Sequence, residues 1–208
     1  EITKQNEIMN GRVKTLHPNI FGGILVDREN PNHILDLKLI NALEIDIVII
    51  NLYPFVDEAV NKNLDLDKSI EFIDIGGPSM LRAAAKNYKH VIGLCDPIQY
   101  DNFIFEFKEN KGILSASIRS NYARVIFKKT MDYDYSIFKY FSKDINEEEL
   151  VNDLCINFKK EEDLRYGENP HQKASFYLPD KKEIIRKKIQ GKKLSYNNYF
   201  DMDSAISL

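Results

Sequence analysis

Two short apolar runs constrain the fold of this chain more than any other feature. Residues 45–51 read I-D-I-V-I-I-N, nearly continuous β-branched sequence, and residues 91–95 read V-I-G-L-C. Without polar alternation, such runs are strands covered on both faces, as in a parallel sheet flanked by helices. The first runs straight into Leu52, Tyr53, Pro54 and Phe55. Open α/β sheets keep their ligands just past the carboxyl ends of such strands. Asn51 and Tyr53 are therefore site candidates, or else a turn residue and a packed aromatic.

Between the two runs lies F-I-D-I-G-G-P-S-M-L-R-A-A-A-K-N, residues 72–87. Asp74 precedes the pair Gly76 and Gly77, Pro78 is placed to open a helix, and residues 79–87 are good helix formers. Unpaired N–H groups and the dipole at a helix N-terminus attract electron-rich ligand atoms, and glycine lets them come close. The spacing predicts a ligand site or a tight turn capped by Asp74. Met80, Leu81, Ala84 and Ala85 form the buried stripe, while Arg82 and Lys86 share another face. At about 1.5 Å per residue, Lys86 lies roughly 12 Å along the axis from Pro78. It joins Asp74 in one pocket only if the helix lies along that pocket.

Upstream, residues 11–18 read G-R-V-K-T-L-H-P. Arg12 and Lys14 stand two apart, which puts them on one side of an extended chain. Arginine suits a forked contact to phosphate or carboxylate and lysine a point charge, although a solvated loop has the same pattern. Residues 20–26, I-F-G-G-I-L-V, predict a short strand or buried turn. Residues 31–44 predict a helix with Ile34, Leu35, Leu37, Leu39, Ile40 and Leu43 as its apolar stripe. Asp96 and Pro97 read as N-cap and first residue of a helix with Ile98, Phe103, Ile104 and Phe107 on one side. Residues 117–141 read as one long helix or two, with 131–135 as the break. Its aromatics read as core before a base-stacking platform. Residues 142–150 read as a linker. Leu154, Ile156 and Phe158 alternate with polar residues, as in a half-exposed strand, and 174–177 reads as another. The basic run 181–193 fits a solvated face as well as an RNA contact.

The composition is that of an ordinary soluble chain, 43% apolar and 29% charged with a formal net charge of −3, which gives no general case for nucleic acid. Cys95 and Cys155 stand in apolar contexts without a CxxC partner. They read as reduced thiols in a cytoplasmic protein, a disulfide between them being the other option. His17, His33, His90 and His171 lack metal-ligand spacing, so no metal is expected. No apolar run reaches membrane-spanning length, and the opening E-I-T-K-Q-N lacks the form of a signal peptide. Both ends read as cut from a longer protein.

Five stretches now fall together. Residues 11–18 (GRVKTLHP), 51–55 (NLYPF), 73–87 (IDIGGPSMLRAAAKN), 164–172 (LRYGENPHQ) and 194–198 (LSYNN) resemble the bifunctional AICAR transformylase/IMP cyclohydrolase family of purine biosynthesis. The resemblance runs over nearly all 208 residues. It implies that residues 1–146 are an N-terminally incomplete cyclohydrolase domain, a methylglyoxal-synthase-like parallel sheet wrapped by helices. Residues 147–208 are then a linker and the start of an α+β transformylase domain. The family's upstream phosphate-gripping segment, and most of its transformylase domain with the catalytic Lys-His pair, are expected outside this chain.

The family's cyclohydrolase closes the formamido ribonucleotide FAICAR to IMP with loss of water, and the chemistry asks for no metal or organic cofactor. The resemblance places Lys14, Tyr53, Asp74 and Lys86 at catalytic positions. Asp74 and Lys86 are expected to shuttle protons at the carboxamide, and Lys14 and Tyr53 to polarise the formyl oxygen. Arg12, Val13 and Thr15 fall beside the ribose phosphate. Ile50, Asn51 and Ile75 are expected to hold the base largely through backbone groups, next to Gly76 and Gly77. Arg165 and Tyr166 match positions that contact AICAR, in sites the family assembles across a homodimer with 10-formyltetrahydrofolate as co-substrate. The rival readings are a non-catalytic nucleotide sensor, methylglyoxal synthase itself (which has no second domain with LRYGENPHQ), and an inactive fragment.

Overall fold

The computed structural model describes residues 2–142, 156–179 and 190–207. The chain divides into two compact units, Glu1–Ile145 and Asn146–Leu208. The expected linker at 143–150, Leu154, Cys155 and the basic stretch 181–189 lie outside the described residues.

The first unit is mixed α/β. Strand β1 (Ile47–Ile49) pairs in parallel with β2 (Ile92–Leu94), Val48 opposite Gly93. The ladder is extended by Ile92 N–H to the Asp46 carbonyl at 2.9 Å and by Ile50 N–H to the Leu94 carbonyl at 3.0 Å. Strand β2 is buried along its whole length, as its sequence predicts. Its alternate residues feed two cores. Val91 and Cys95 pack with Leu81, Ala84 and Ile126, while Ile92 and Leu94 pack with Phe103, Leu114 and Tyr122. Gly93 permits this: a Cβ there would stand 2.3 Å from Ile126 Cδ1. Strand β1 departs from its double-faced pattern, because Ile49 is 54% exposed.

Helix α1 (Pro18–Leu25) replaces the strand or turn expected at 20–26. The signal was in the preceding residues: Pro18 opens the helix and the His17 ring nitrogen accepts the Asn19 N–H at 3.1 Å. Its glycines serve packing, since a Cβ on Gly23 would meet the Leu43 carbonyl at 2.3 Å. Helix α2 (Pro31–Leu39) stops five residues short of the expected 44 and buries only Leu37. Its end fits the turn at Asn41, which takes a left-handed φ of 51°. Leu35, Leu39 and Leu43 face solvent, so the broad stripe was not a core stripe.

After β1 come a five-residue π turn (Val56–Val60) and the short helix α3 (Leu66–Ile70). Helix α4 (Gly76–Lys86) buries Leu81, Ala83, Ala84 and Ala85. It begins at Gly76 rather than at Pro78, which occupies the third helical position. A 3₁₀ turn (Pro97–Gln99) capped by Asp96 leads into α5 (Tyr100–Glu109). Phe103 turns inward, but Ile98 is 86% exposed and Ile104 faces solvent, so only part of that expected apolar side is core. Helix α6 (Ala116–Phe141) is one unbroken element of 26 residues, with no break at 131–135. No helix among the described residues is long and apolar enough to cross a membrane.

In the second unit β3 (Phe158–Asp163) and β4 (Ser175–Pro179) pair antiparallel, with a register shift between Lys160 and Glu162. Strand β3 starts later than the alternation predicts, and Ile156 precedes it, exposed. Helix α7 (Tyr196–Ser207), not anticipated, starts inside LSYNN and stacks Tyr199 on Phe176 with ring centroids 4.2 Å apart. Arg165 N–H bonds the Leu194 carbonyl at 2.8 Å, joining the LRYGENPHQ and LSYNN motifs.

Candidate active site

Three segments converge on one cleft of about 830 Å³ in the first unit: residues 7–16, the chain leaving β1, and the turn into α4. The first of these is a tight reversal. Ile8 and Val13 form an antiparallel bridge around Met9, Asn10 and Gly11, all with left-handed φ of 54°, 55° and 88°. Glycine takes that φ without strain. The reversal presents Arg12, Lys14 and Thr15 to the cleft. Val13 does not line it; its N–H and carbonyl are used in the bridge to Ile8.

Each of the two cations carries a carboxylate partner. Arg12 forks onto Glu71, just past α3, and this pairing pushes its pKa up. Lys14 Nζ sits 3.2 Å from Glu7 Oε2. Both pairs are largely exposed, a setting in which ion pairs contribute little to stability. Both pairs can therefore open at small cost.

The chain leaving β1 brings Ile50, Asn51 and Tyr53 to the same cleft. The Tyr100 hydroxyl donates to Asn51 Oδ1 at 3.0 Å and fixes that amide. Tyr53 is 66% exposed, so it is no packed core aromatic.

The turn into α4 supplies Asp74, Ile75, Gly76 and Gly77. Asp74 Oδ1 accepts the Gly77 N–H at 2.8 Å and so caps the helix. Both glycines are places of close approach: a Cβ on Gly77 would lie 2.3 Å from Asp74 Oδ2, and one on Gly76 2.5 Å from Thr15 Oγ1. The Asp74 N–H is taken by the Tyr133 hydroxyl of α6 at 2.7 Å. Glu7, Glu71, Tyr100 and Tyr133 were not singled out from sequence. Nothing local marks them; their roles come from segments that meet only in the fold.

Lys86 does not join this cleft. It is the last residue of α4 and lines a separate opening of about 420 Å³ with Asp27, His33, Asn87 and His90. At about 1.5 Å per residue it stands roughly 15 Å along the axis from Gly76. Of α4, only Gly76, Gly77 and Met80 line the Asp74 cleft, so Asp74 and Lys86 line different openings. In the smaller opening Asp27 lies 3.2 Å from His90 Nε2, and its carboxyl is held below the usual value chiefly by the Glu29 N–H. Among the described residues, no group of three His, Cys, Asp or Glu is placed to hold a metal. Cys95 is a free, buried thiol whose pKa burial pushes up.

In the second unit Arg165 Nη2 donates to the Tyr166 hydroxyl at 3.0 Å, and the guanidinium lies 4.8 Å from that ring's centroid. The Tyr166 carbonyl accepts the Tyr196 N–H at 3.2 Å.

Residues 84–208 match the family described as AICARFT/IMPCHase bienzyme. The chain belongs to this family. Among its relatives, the bifunctional purine biosynthesis protein PurH of Leptospira biflexa is 45% identical over 206 residues, spanning 99% of this chain and 40% of that protein. The protein of the same name from Acetivibrio thermocellus is 44% identical over 212 residues, spanning 100% of this chain and 41% of its own length. The chain thus spans about two fifths of these curated relatives. A solved structure, the crystal structure of ForH, superposes with a TM-score of 0.56 at 31% identity and covers 68% of this chain and 71% of that one.

Proposed function

We propose that the first unit carries the IMP cyclohydrolase activity of a bifunctional enzyme of de novo purine biosynthesis, closing FAICAR to IMP. The observation that carries this reading is the meeting of Arg12, Lys14, Thr15, Asn51, Tyr53 and Asp74 around one cleft at the carboxyl end of β1 and the N-terminus of α4. Its volume of about 830 Å³ suits a nucleotide-sized ligand.

In the reaction the carboxamide nitrogen attacks the formyl carbon, and a C–N bond forms. One proton leaves that nitrogen and another leaves the formamido nitrogen; both end on the former formyl oxygen, which departs as water. An amide nitrogen is a poor nucleophile, so the site must fix the near-attack geometry, stabilise the oxyanion and move protons. In this reading Asp74 accepts the proton of the attacking nitrogen, while Lys14 and Tyr53 stabilise the formyl oxygen. Arg12 and Thr15 hold the phosphate; Val13 contributes by keeping their reversal closed. Ile50, Asn51, Ile75 and the diglycine seat the base. Lys86 supports the reaction only through the far end of α4.

The same reading assigns the first unit a methylglyoxal-synthase-like fold and residues from about 147 to the start of a transformylase domain. There Arg165 and Tyr166 contact AICAR in the complete homodimeric, cytoplasmic protein, with 10-formyltetrahydrofolate as formyl donor. FAICAR cyclisation by the full-length enzyme tests the proposal. Lys14→Ala and Asp74→Asn are each expected to lower kcat at least about 100-fold, the scale of one general acid–base or oxyanion contact. A near-native kcat removes the residue from the mechanism. A sensor module would bind IMP without turning FAICAR over.

A further inference from the structure

Asp74 sits in the short connection between α3 and α4, where its N–H has no helical partner. The Tyr133 hydroxyl, reaching across from α6, accepts that N–H at 2.7 Å and donates to the Phe72 carbonyl at 3.4 Å. One phenol oxygen thus spans the main chain on both sides of Ile73, itself a wall of the cleft. From the other side the Asp74 carboxylate is tied to Gly77 N–H through Oδ1; among the described residues Oδ2 has no hydrogen-bond partner.

We propose that Tyr133 is a positioning residue for the ring closure: it fixes the Asp74 main chain so that the carboxylate stands where the carboxamide proton must go. This inference rests on the ring-closure reading of the cleft. The arrangement divides the work between two helices. Helix α4 sets the side-chain torsions of Asp74 through the cap, and α6 sets the backbone that carries them. Burial pushes the Tyr133 phenol above its ordinary pKa of 10.0, so the hydroxyl remains a neutral donor and acceptor throughout the working range. Tyr133 touches no reacting atom; it acts through Asp74.

The same helix offers a control. The Tyr140 hydroxyl donates to the Leu64 carbonyl at 2.7 Å and meets Ser69 Oγ at 2.8 Å, a comparable anchor whose partners precede Asp74 by ten and five positions and do not line the cleft. In the full-length enzyme, Tyr133→Phe, Tyr140→Phe, Asp74→Asn and the double variant Tyr133→Phe/Asp74→Asn are compared by FAICAR kinetics and melting. A misplaced catalytic group costs on the order of 10- to 100-fold in rate, so Tyr133→Phe is expected to lower kcat by about that factor. Its KM is expected to stay within about threefold, since nucleotide contacts are kept. Tyr140→Phe is expected to lower the melting temperature comparably but to leave kcat unchanged. Residues acting as a unit are non-additive, so the double variant is expected to be no more than about twofold slower than Asp74→Asn alone. A near-native Tyr133→Phe beside an impaired Asp74→Asn overturns this inference alone, as do losses that multiply in the double variant. A Tyr140→Phe as slow as Tyr133→Phe reduces the effect to a loosened helix and overturns it too. A near-native Asp74→Asn overturns the ring-closure reading itself.

Discussion

The α-carbon of Gly76 lies so close to Thr15 that an added Cβ would stand 2.5 Å from the threonine hydroxyl oxygen. This contact locks the cation-bearing reversal to the first turn of α4, two segments some sixty positions apart in the chain. Gly76→Ala is therefore expected to push Thr15 outward and raise the KM for FAICAR by roughly 10-fold, the scale of one overpacked side chain. Adding Thr15→Ala removes the obstructing oxygen and leaves the next contact at 3.9 Å. Melting curves of the single and double variants check the relief: the double variant is expected to regain most of the lost stability.

Lys86 closes the helix that Asp74 opens, and its cation is well placed against the negative end of the dipole. Lys86→Ala is expected to cost about 0.3–1 kcal/mol of stability. Whatever turnover is lost with it returns in Lys86→Arg, because an arginine restores the charge but is not a proton donor at neutral pH. FAICAR kinetics of both variants decide the matter; a Lys86→Arg enzyme as slow as Lys86→Ala assigns the lysine a proton-transfer role after all.

The sheet is closed against α6 by the absence of a side chain at Gly93. Gly93→Ala brings a Cβ to 2.3 Å from Ile126 Cδ1 and 3.3 Å from the Ala84 Cβ. The expected cost is about 1–3 kcal/mol. Ile126→Val, which removes the nearest atom, is expected to recover part of it in a double variant followed by melting.

Asp96 caps the entry to α5 and bonds Lys129 of α6 at 2.8 Å, which with the Ile98 N–H holds its carboxyl below the ordinary 3.8. A depressed folded-state pKa contributes stability above the unfolded value, and that contribution is lost as pH falls through the folded one. Half-exposed as the pair is, the contribution is below about 1 kcal/mol. Lys129→Gln is expected to melt slightly lower than the parent at neutral pH, the gap closing as pH falls below the ordinary 3.8. A gap that persists in acid would assign the loss to packing.

Much of this architecture is legible in the chain itself. The V-I-G-L-C run forms the buried strand its composition demands, and D-I-G-G-P folds into a turn whose carboxylate caps a helix. Arg12, Lys14, Asn51, Tyr53 and Asp74 are all found on one cleft. The misses have physical causes. The I-F-G-G-I-L-V stretch has no helical period because its glycines make room for the Leu37 and Ile40 side chains and the Leu43 carbonyl, so only His17 and Pro18 announced α1. The leucines of α2 have helical spacing but mostly face solvent, and periodicity alone does not say what a stripe faces. Tyr133 and Glu71 were illegible because a hydrogen bond across more than fifty positions leaves no local mark.

The most direct measurement is a crystal structure of the full-length protein with IMP bound. The account predicts the purine base within hydrogen-bond reach of Asp74 and Asn51, with the phosphate on Arg12 and Thr15 and both counter-carboxylates, Glu71 and Glu7, displaced. IMP seated instead in the opening beside Lys86 and His90, with the Asp74 cleft unoccupied, would contradict it.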